Sequence, residues 1–285
     1  MPALKNIKTV CVCGAGTMGS GIAQVAVQAG FTTIQFDVDP VMLQKSNAAI
    51  VASLQKLTEK NKITPEQKSK TLGLLSFTNR IENCKADVII EAIIENKEAK
   101  INLFNQLAAI NSEETIFTTN TSSISINEIA NATNVSSRFA GMHFFNPAPL
   151  MKLVEVVKAQ NTSEAVVKTI TELAKNLGKV PVVCKDSPGF IVNRVARPYY
   201  LEAMNLIEKN LADIETIDAL MEATGFKMGP FKLMDLIGID INYSVSNIVW
   251  EALEKPERLK PFTIQKEKIQ QGELGKKTGK GFYKY

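Results

Sequence analysis

Residues 7–21 read Ile-Lys-Thr-Val-Cys-Val-Cys-Gly-Ala-Gly-Thr-Met-Gly-Ser-Gly, an apolar strand pattern followed at once by a glycine-rich turn, and a helical pattern follows from Ile22 to Gly30. In the spacing G-x-G-x-x-G, Gly14 permits a tight turn, Gly16 lets a pyrophosphate approach the backbone, and Gly19 lets helix and strand pack closely. The N terminus of the helix offers unpaired N–H groups to the phosphates. This stretch predicts a dinucleotide-binding strand, turn and helix.

An acidic residue follows the next strand pattern. Residues 32–36 read Thr-Thr-Ile-Gln-Phe and end at Asp37, roughly 20 residues after the glycine turn, where a ribose-binding carboxylate belongs. A carboxylate there accepts hydrogen bonds from both ribose hydroxyls and repels a 2′-phosphate, and no arginine stands beside it in the sequence. We therefore predict NAD as the cofactor, in preference to NADP.

Strand and helix patterns alternate through most of the chain. Later strands are predicted at residues 74–78, 87–93, 116–119, 139–144, 153–157 and 179–184, and helices at about 97–109 and 161–177. Such alternation favours a parallel, doubly wound sheet. From Ile191 to about Ile269 the pattern is only helical. We predict an α/β fold with a Rossmann-like, doubly wound NAD-binding domain in residues 1–185 and an all-α C-terminal domain in residues 186–285.

The composition is that of an ordinary globular protein, with 45% hydrophobic and 22% charged residues and a net charge of +4. This mild, dispersed charge does not indicate nucleic-acid binding, but it suits an anionic small ligand. Four cysteines without C-x-x-C spacing and one histidine argue against a metal site. Because residues 1–8 lack the apolar core of a signal peptide and no apolar run reaches membrane-spanning length, we expect a cytoplasmic protein.

Polar clusters follow three of the predicted strands. They are Glu95-Asn96, Asn120-Thr121-Ser122-Ser123 and the stretch from His143 to Asn146. Ligands of doubly wound sheets bind outside the carboxyl ends of the strands, so we expect the three clusters at one edge. Ser122 alone would also be explained as an ordinary helix cap.

His143 is the only histidine of the chain. Glu155 lies in the apolar run Leu-Val-Glu-Val-Val, where a lone carboxylate in a buried strand requires a partner. Pro147 and Pro149 prevent a helix between these two residues, so a turn can bring Glu155 to the imidazole. The pair then fits either a core histidine with a structural glutamate or an acid/base whose tautomer the glutamate fixes.

Beside a dinucleotide, such a histidine is suited to hydride-transfer chemistry. Oxidising an alcohol requires removal of the hydroxyl proton as the hydride leaves the same carbon, and His143 is the candidate base. Ser122 and Asn193 are candidates for fixing the substrate oxygen, Asn193 because it lies in the first turn of a helix at the predicted domain junction.

These motifs resemble the L-3-hydroxyacyl-CoA dehydrogenase family, and in particular its single-function bacterial members, from about residue 6 to the end of the chain. The stretches that carry the resemblance are residues 14–23, 120–123, 143–156, 186–194 and 275–283. The resemblance implies NAD-dependent oxidation of an (S)-3-hydroxyacyl-CoA, of short chain such as 3-hydroxybutyryl-CoA, to the 3-ketoacyl-CoA, or the reverse reduction. It also implies a homodimer joined through the helical domain, which agrees with the surplus apolar helix surface predicted there.

The resemblance implies roles for single residues as well. The catalytic set is His143 with its partner Glu155, Ser122 and Asn193. The residues expected to contact NAD are Gly14, Gly16, Thr17, Met18, Gly19, Asp37, Glu95, Lys100, Asn120, Ser122, His143 and Asn146. Those expected to contact the acyl-CoA are Ser122, Asn146, Asn193, Lys56 and Lys60. The two lysines belong to a basic helical insertion, residues 40–73, which by itself also fits an ordinary solvated helix face.

Other classes fit part of the pattern. A dehydrogenase of a free hydroxy acid, such as a sugar acid, shares the fold and the histidine, and turnover without coenzyme A would identify it. A non-catalytic NAD-binding protein would bind NADH without turnover, and the presence of all four candidate catalytic residues argues against it. Methyltransferases also use a glycine-rich turn after their first strand, but they do not need a histidine and glutamate pair.

Overall fold

The computed structural model of the protein describes residues 6–285. Residues 1–5, on which part of the signal-peptide prediction rests, lie outside the described residues. The chain divides into two compact units, the first ending at Asp186 and the second running from Ser187 to Tyr285. Each unit has its own hydrophobic core.

The first unit contains an eight-stranded sheet. Its strands are β1 (Thr9–Cys13), β2 (Thr32–Phe36), β3 (Leu75–Thr78), β4 (Val88–Glu91), β5 (Ile116–Thr119), β6 (Phe139–Phe144), β7 (Leu153–Lys158) and β8 (Val180–Lys185). Their order is β3-β2-β1-β4-β5-β6-β7-β8. The order reverses between β1 and β4, which in doubly wound sheets is where ligands bind. This sheet confirms the predicted Rossmann-like fold class.

One pair of strands departs from the predicted parallel sheet. All neighbours are parallel except β6 and β7, which are antiparallel. A parallel neighbour requires a crossover of about a dozen residues or more, whereas the proline-containing connection between β6 and β7 is short enough to turn the chain directly back.

Helices flank the sheet of the first unit. They are α1 (Thr17–Gln28), α2 (Pro40–Glu59), α3 (Pro65–Leu72), α4 (Lys97–Ile110), α5 (Ile126–Asn131) and α6 (Glu164–Asn176). Their starts follow ordinary capping rules: Thr64 and Gln67 form a capping box on α3, and Asn96 accepts from Ala99 N at the start of α4. The central strands β4 and β5 are buried along their whole length, as expected for strands covered on both faces.

The second unit is helical. Its helices are α7 (Val192–Glu208), α8 (Ile214–Ala223), α9 (Pro230–Ile237), α10 (Ile239–Ala252) and α11 (Thr263–Gln270). Met204, Phe231, Met234 and Val249 lie in its core. Among residues 6–285, no helix combines the length and the apolar character needed to cross a membrane.

The C-terminal segment of the second unit is held by a buried carboxylate. Asp235 of α9 accepts hydrogen bonds from the backbone N–H groups of Phe282 and Tyr283, both at 2.9 Å, and from the hydroxyl of Tyr285 at 3.2 Å. Burial and the nearby Asp235 charge raise the pKa of Tyr285 to about 12, so its hydroxyl stays protonated and donates at neutral pH.

Candidate active site

The glycine turn between β1 and α1 has no room for side chains at two of its three glycines. A Cβ on Gly14, whose φ is +111°, would lie 2.3 Å from the carbonyl oxygen of Ala92, and a Cβ on Gly19 would lie 2.0 Å from the carbonyl oxygen of Gly14. A Cβ on Gly16 would meet nothing within 4 Å. Gly14 and Gly19 are therefore required by the fold itself, whereas the backbone at Gly16 is open to a ligand.

Asp37 is fixed beside this turn by two backbone N–H groups. Its Oδ2 accepts from Ala15 N at 2.7 Å and its Oδ1 from Asp39 N at 3.0 Å. A cavity of about 910 Å³ is lined by Asp37, Gly14 and Gly16 together with mostly apolar residues. The open approach to Gly16, the helix N terminus and the carboxylate at the cavity wall fit the pyrophosphate and ribose of NAD.

Arg80, which the sequence does not single out, lines the same cavity as Asp37. Strand β3 lies beside β2, and Asp37 N donates to Thr78 O at 3.3 Å, so the segment after β3 runs next to Asp37. Arg80 is exposed and forms no ion pair with any residue between 6 and 285. An arginine is thus near Asp37 in space although none stands beside it in the sequence.

His143 and Glu155 face one another across the antiparallel pair. They are register partners in β6 and β7, and His143 Nδ1 lies 2.7 Å from Glu155 Oε2. The two side chains are 7% and 1% exposed. The Phe145 ring lies 4.6 Å from the imidazole, between the ring centroids. A carboxylate at this distance holds the ring in one orientation and favours a proton on Nδ1.

The loop after β5 is organised by the side chain of Glu95. Its Oε1 accepts from the hydroxyls of Thr121 at 2.5 Å and Ser123 at 2.9 Å, and from the backbone N of Ser122 at 3.2 Å. Burial alone would raise the pKa of Glu95, but the Lys100 charge and these hydrogen bonds outweigh it and hold the pKa below the ordinary range.

Asn120 joins this loop to the strand that carries the histidine. Its side-chain Oδ1 accepts from Phe144 N at 2.8 Å, and its backbone N donates to Glu91 O at 2.8 Å. The polar clusters predicted at the ends of β4, β5 and β6 are therefore joined by hydrogen bonds at one edge of the sheet. Asn146 lies beyond β6 and is exposed.

Lys100 is buried, with its side chain 1% exposed, and contacts two carboxylates. Its Nζ lies 2.5 Å from Glu91 Oε1 and 3.2 Å from Glu95 Oε2. Glu91 also accepts from Thr119 Oγ1 at 2.6 Å. Glu91 carries the same sequence signal as Glu155, a lone carboxylate in an apolar strand, but it is absent from the predicted site residues.

The other candidate residues are spread over both units. Thr17 and Met18 begin α1 directly after the glycine turn, and Lys56 and Lys60 are exposed at the C-terminal end of α2. Asn193 lies in the first turn of α7, in the second unit, where its carbonyl oxygen accepts from Arg197 Nε at 2.9 Å. The roles of all these residues stay predictions.

Comparison with known proteins connects this geometry to a family. The family model for the NAD-binding domain of 3-hydroxyacyl-CoA dehydrogenase matches residues 9–187, and the model for the C-terminal domain of the same family matches residues 189–285. The first match confirms the prediction of an NAD-binding domain.

Individual relatives agree with the family models. The chain is 46% identical to the 3-hydroxyadipyl-CoA dehydrogenase of Escherichia coli over 98% of its own length, but it spans only 59% of that relative. It is 44% identical to the mitochondrial hydroxyacyl-coenzyme A dehydrogenase of Mus musculus, covering 98% of this chain and 91% of the relative. The crystal structure of (S)-3-hydroxybutyryl-CoA dehydrogenase from Ralstonia eutropha superposes with a TM-score of 0.94 at 37% identity, covering 98% of this chain and 99% of that one.

Two family models together span nearly the whole chain, and relatives above 30% identity align along it. The predicted resemblance is thereby confirmed. This chain belongs to the 3-hydroxyacyl-CoA dehydrogenase family.

Proposed function

We propose that this protein oxidises (S)-3-hydroxyacyl-CoA thioesters to 3-ketoacyl-CoA with NAD, and catalyses the reverse reduction. The observation that carries the proposal is the buried His143 and Glu155 pair, 2.7 Å apart, at the sheet edge where doubly wound folds bind ligands. Family membership supports a dehydrogenase, and the pair supplies the acid/base that alcohol oxidation requires.

Bound NAD supplies the hydride acceptor. In the oxidation, His143 takes the proton of the substrate hydroxyl at Nε2, while Glu155 holds Nδ1 and stabilises the imidazolium that forms. In the reduction, the same imidazolium returns the proton to the new alkoxide. Burial of the pair excludes water, which strengthens the attraction between imidazolium and carboxylate.

Ser122 and Asn193 are assigned to fixing the substrate oxygen. Asn120 is assigned to a polar contact with NAD, and Asn146 to polar contacts with NAD and with the acyl-CoA. The backbone N of Ser122 donates to Glu95 and that of Phe144 donates to Asn120, so the loop after β5, residues 120–125, here called the serine loop, and the end of β6 hold a fixed arrangement. Such preorganisation is what hydride transfer requires of the protein.

Lys56 and Lys60 are assigned to the phosphates of coenzyme A. Both are exposed at the end of α2 and form no ion pair with the described residues, so their charges are available to an anionic ligand. Substitution of both by glutamine is expected to raise the KM for acetoacetyl-CoA without changing the KM for NADH. An unchanged KM for acetoacetyl-CoA would remove this assignment.

We also propose that the protein is a homodimer joined through its helical unit. This unit exposes several large apolar side chains, among them Val195 at 71%, Leu220 at 63% and Ile241 at 49%. Sedimentation analysis of the wild type and an Ile241→Glu variant tests the assignment. A monomeric wild type, or an unaffected dimer when all three positions are changed, would refute it.

The decisive test measures NADH consumption with acetoacetyl-CoA, with free acetoacetate, and with the His143→Asn variant. We expect turnover of the thioester only, and its loss in the variant while thermal unfolding and NADH binding stay close to wild type. Turnover of the free acid would support the competing hydroxy-acid dehydrogenase, and activity that survives in His143→Asn would refute the acid/base assignment. Comparing 3-ketoacyl-CoA substrates of increasing length then tests the proposed short-chain preference.

A further inference from the structure

Glu91 is a wholly buried carboxylate to which the proposed mechanism gives no task. It ends β4 at the edge of the sheet that carries the candidate active site, and it is 0% exposed. Strand β4 is otherwise apolar, with Val88, Ile89 and Ile90 before it. A charge at such a position is costly to bury unless it is fully paired.

The Glu91 carboxylate is fully engaged. Oε1 accepts from Lys100 Nζ at 2.5 Å and from Ile93 N at 2.7 Å, and Oε2 accepts from Thr119 Oγ1 at 2.6 Å. Burial raises the pKa of Glu91, against the opposing effects of the Lys100 charge and these hydrogen bonds. One side chain thus joins β4, β5, the loop after β4 and helix α4.

Two routes lead from Glu91 to candidate catalytic residues. The first runs through Lys100 to Glu95, whose Oε1 accepts from the backbone N of Ser122. The second runs through Thr119, whose hydroxyl donates to Glu91 Oε2 and accepts from the backbone N of Thr121 at 3.2 Å, next to Ser122. Both routes start at the Glu91 carboxylate and end on the loop that carries Ser122.

The charges of this cluster are unequal, because one ammonium group faces two carboxylates. If Glu91 were neutral, Lys100 would be held electrostatically by Glu95 alone and would be drawn toward the loop. Apolar side chains of similar volume could replace a purely structural pair, often without loss of stability. A charge that holds the lysine between the end of β4 and the loop after it indicates that Glu91 serves to orient this lysine.

We propose that Glu91 is a positioning residue of the active site, whose carboxylate acts through Lys100 and Glu95, and through Thr119, on the serine loop. This inference rests on the proposed dehydrogenase function. It assigns Lys100 to the orientation of Glu95, in addition to the expected contact with NAD.

The test compares Glu91→Gln, Lys100→Met and the double variant with the wild type. Glu98→Gln, an exposed carboxylate on the same helix as Lys100, is the matched control. Three quantities are measured: kcat and KM for acetoacetyl-CoA and NADH, the unfolding temperature, and amide hydrogen exchange in residues 119–123 of the protein without added cofactor.

In Glu91→Gln we expect kcat to fall about 10- to 100-fold, with both KM values within about threefold of wild type, because displaced groups act on the reacting geometry more than on binding. Amide exchange in residues 119–123 should rise about tenfold or more. The double variant should recover the unfolding temperature lost in Lys100→Met, since no unbalanced buried charge remains, but not kcat.

Recovery of kcat together with stability in the double variant would show that Glu91 only balances the Lys100 charge, and would overturn the proposal. So would a Glu91→Gln enzyme with wild-type kcat. If the wild type does not turn over acetoacetyl-CoA, the proposed function fails instead. Hydrogen exchange then decides the positioning role: faster exchange in Glu91→Gln supports it, and unchanged exchange overturns it.

Discussion

Two glycines of the same turn should respond in opposite ways to the addition of a methyl group. Gly16→Ala places a Cβ where nothing lies within 4 Å, at a residue whose φ of −70° any amino acid adopts. Gly19→Ala places a Cβ 2.0 Å from the carbonyl oxygen of Gly14, whereas ordinary van der Waals contact begins at 3.4 Å. The first substitution is expected to disturb the ligand and the second the fold.

The magnitudes follow from these positions. Gly16 is the N-cap of α1, and alanine is a poorer N-cap than glycine, so Gly16→Ala should cost about 1 kcal/mol of unfolding free energy or less. Its methyl group blocks the approach of the pyrophosphate and should weaken NADH binding about tenfold or more, which is about 1.4 kcal/mol. In Gly19→Ala, a helix-propensity gain of about 1 kcal/mol is opposed by an overpacking strain of about 3 kcal/mol, because the Cβ would lie far inside the contact distance, so we expect a net loss of about 2 kcal/mol of unfolding free energy.

Urea unfolding without cofactor and fluorescence titration with NADH measure the two effects separately. Gly73→Ala serves as a control, because Gly73 has a φ of −65° and its Cβ would lie in ordinary contact, 3.4 Å from Lys70 O. We expect the control to leave both quantities nearly unchanged. Wild-type NADH affinity in Gly16→Ala would refute the pyrophosphate assignment, and wild-type stability in Gly19→Ala would refute the packing argument.

Four further predictions concern single carboxylates. Glu155→Gln keeps the shape of the side chain but removes its charge, so kcat should fall about 100-fold or more at nearly unchanged stability; steady-state kinetics that show less than a threefold loss would contradict the pairing role. Asp37→Ser should weaken NADH binding and increase the affinity for NADPH, both measured by fluorescence titration. Adding Arg80→Gln should abolish the increase in NADPH affinity; an increase that persists without Arg80 would show that the arginine is not involved. The pKa of Glu95 is lower in the folded state than its unfolded value near 4.5, so its charge stabilises the fold fully above pH 4.5, and this stabilisation is lost as the pH falls through the folded-state pKa. In acid-unfolding experiments, the stability of Glu95→Gln should therefore fall less over this pH range than that of the wild type. Asp235→Ala leaves three donors of the C-terminal segment without their acceptor and should cost roughly 3–5 kcal/mol of unfolding free energy, measured by urea denaturation.

Much of the first unit follows from local patterns in the sequence. Strands such as Ile116–Thr119 and Phe139–Phe144 have the predicted bounds, because short apolar runs enriched in β-branched and aromatic residues leave little choice of structure. The α1 helix was less well predicted. It begins at Thr17, whereas the helical pattern was predicted from Ile22. Gly19 has a low intrinsic helix propensity, but its close contact with Gly14 needs a residue without a side chain, and this packing overrides propensity.

Contacts between residues far apart in the chain could not be predicted from local patterns in the sequence. Arg80 reaches the cavity of Asp37 because β3 pairs with β2, and Lys100 is buried because α4 sets it against the end of β4. A lysine in the first turn of a helix otherwise indicates a solvated face. Spacing along the chain does not encode which neighbour a side chain meets, so both positions required the assembled sheet.

Glu91 and Glu155 show why the partner, and not the local pattern, sets the role of such a residue. Each is a single carboxylate in an apolar strand, and each is almost completely buried. Glu155 meets an imidazole through the register of β6 and β7, whereas Glu91 meets an ammonium group carried by α4. Imidazoles exchange protons near neutral pH and alkylammonium groups do not, so the first pair is suited to acid/base chemistry and the second to holding geometry. Substituting either carboxylate should therefore lower kcat for different reasons: loss of Glu155 impairs proton transfer itself, and loss of Glu91 loosens the loop that carries Ser122.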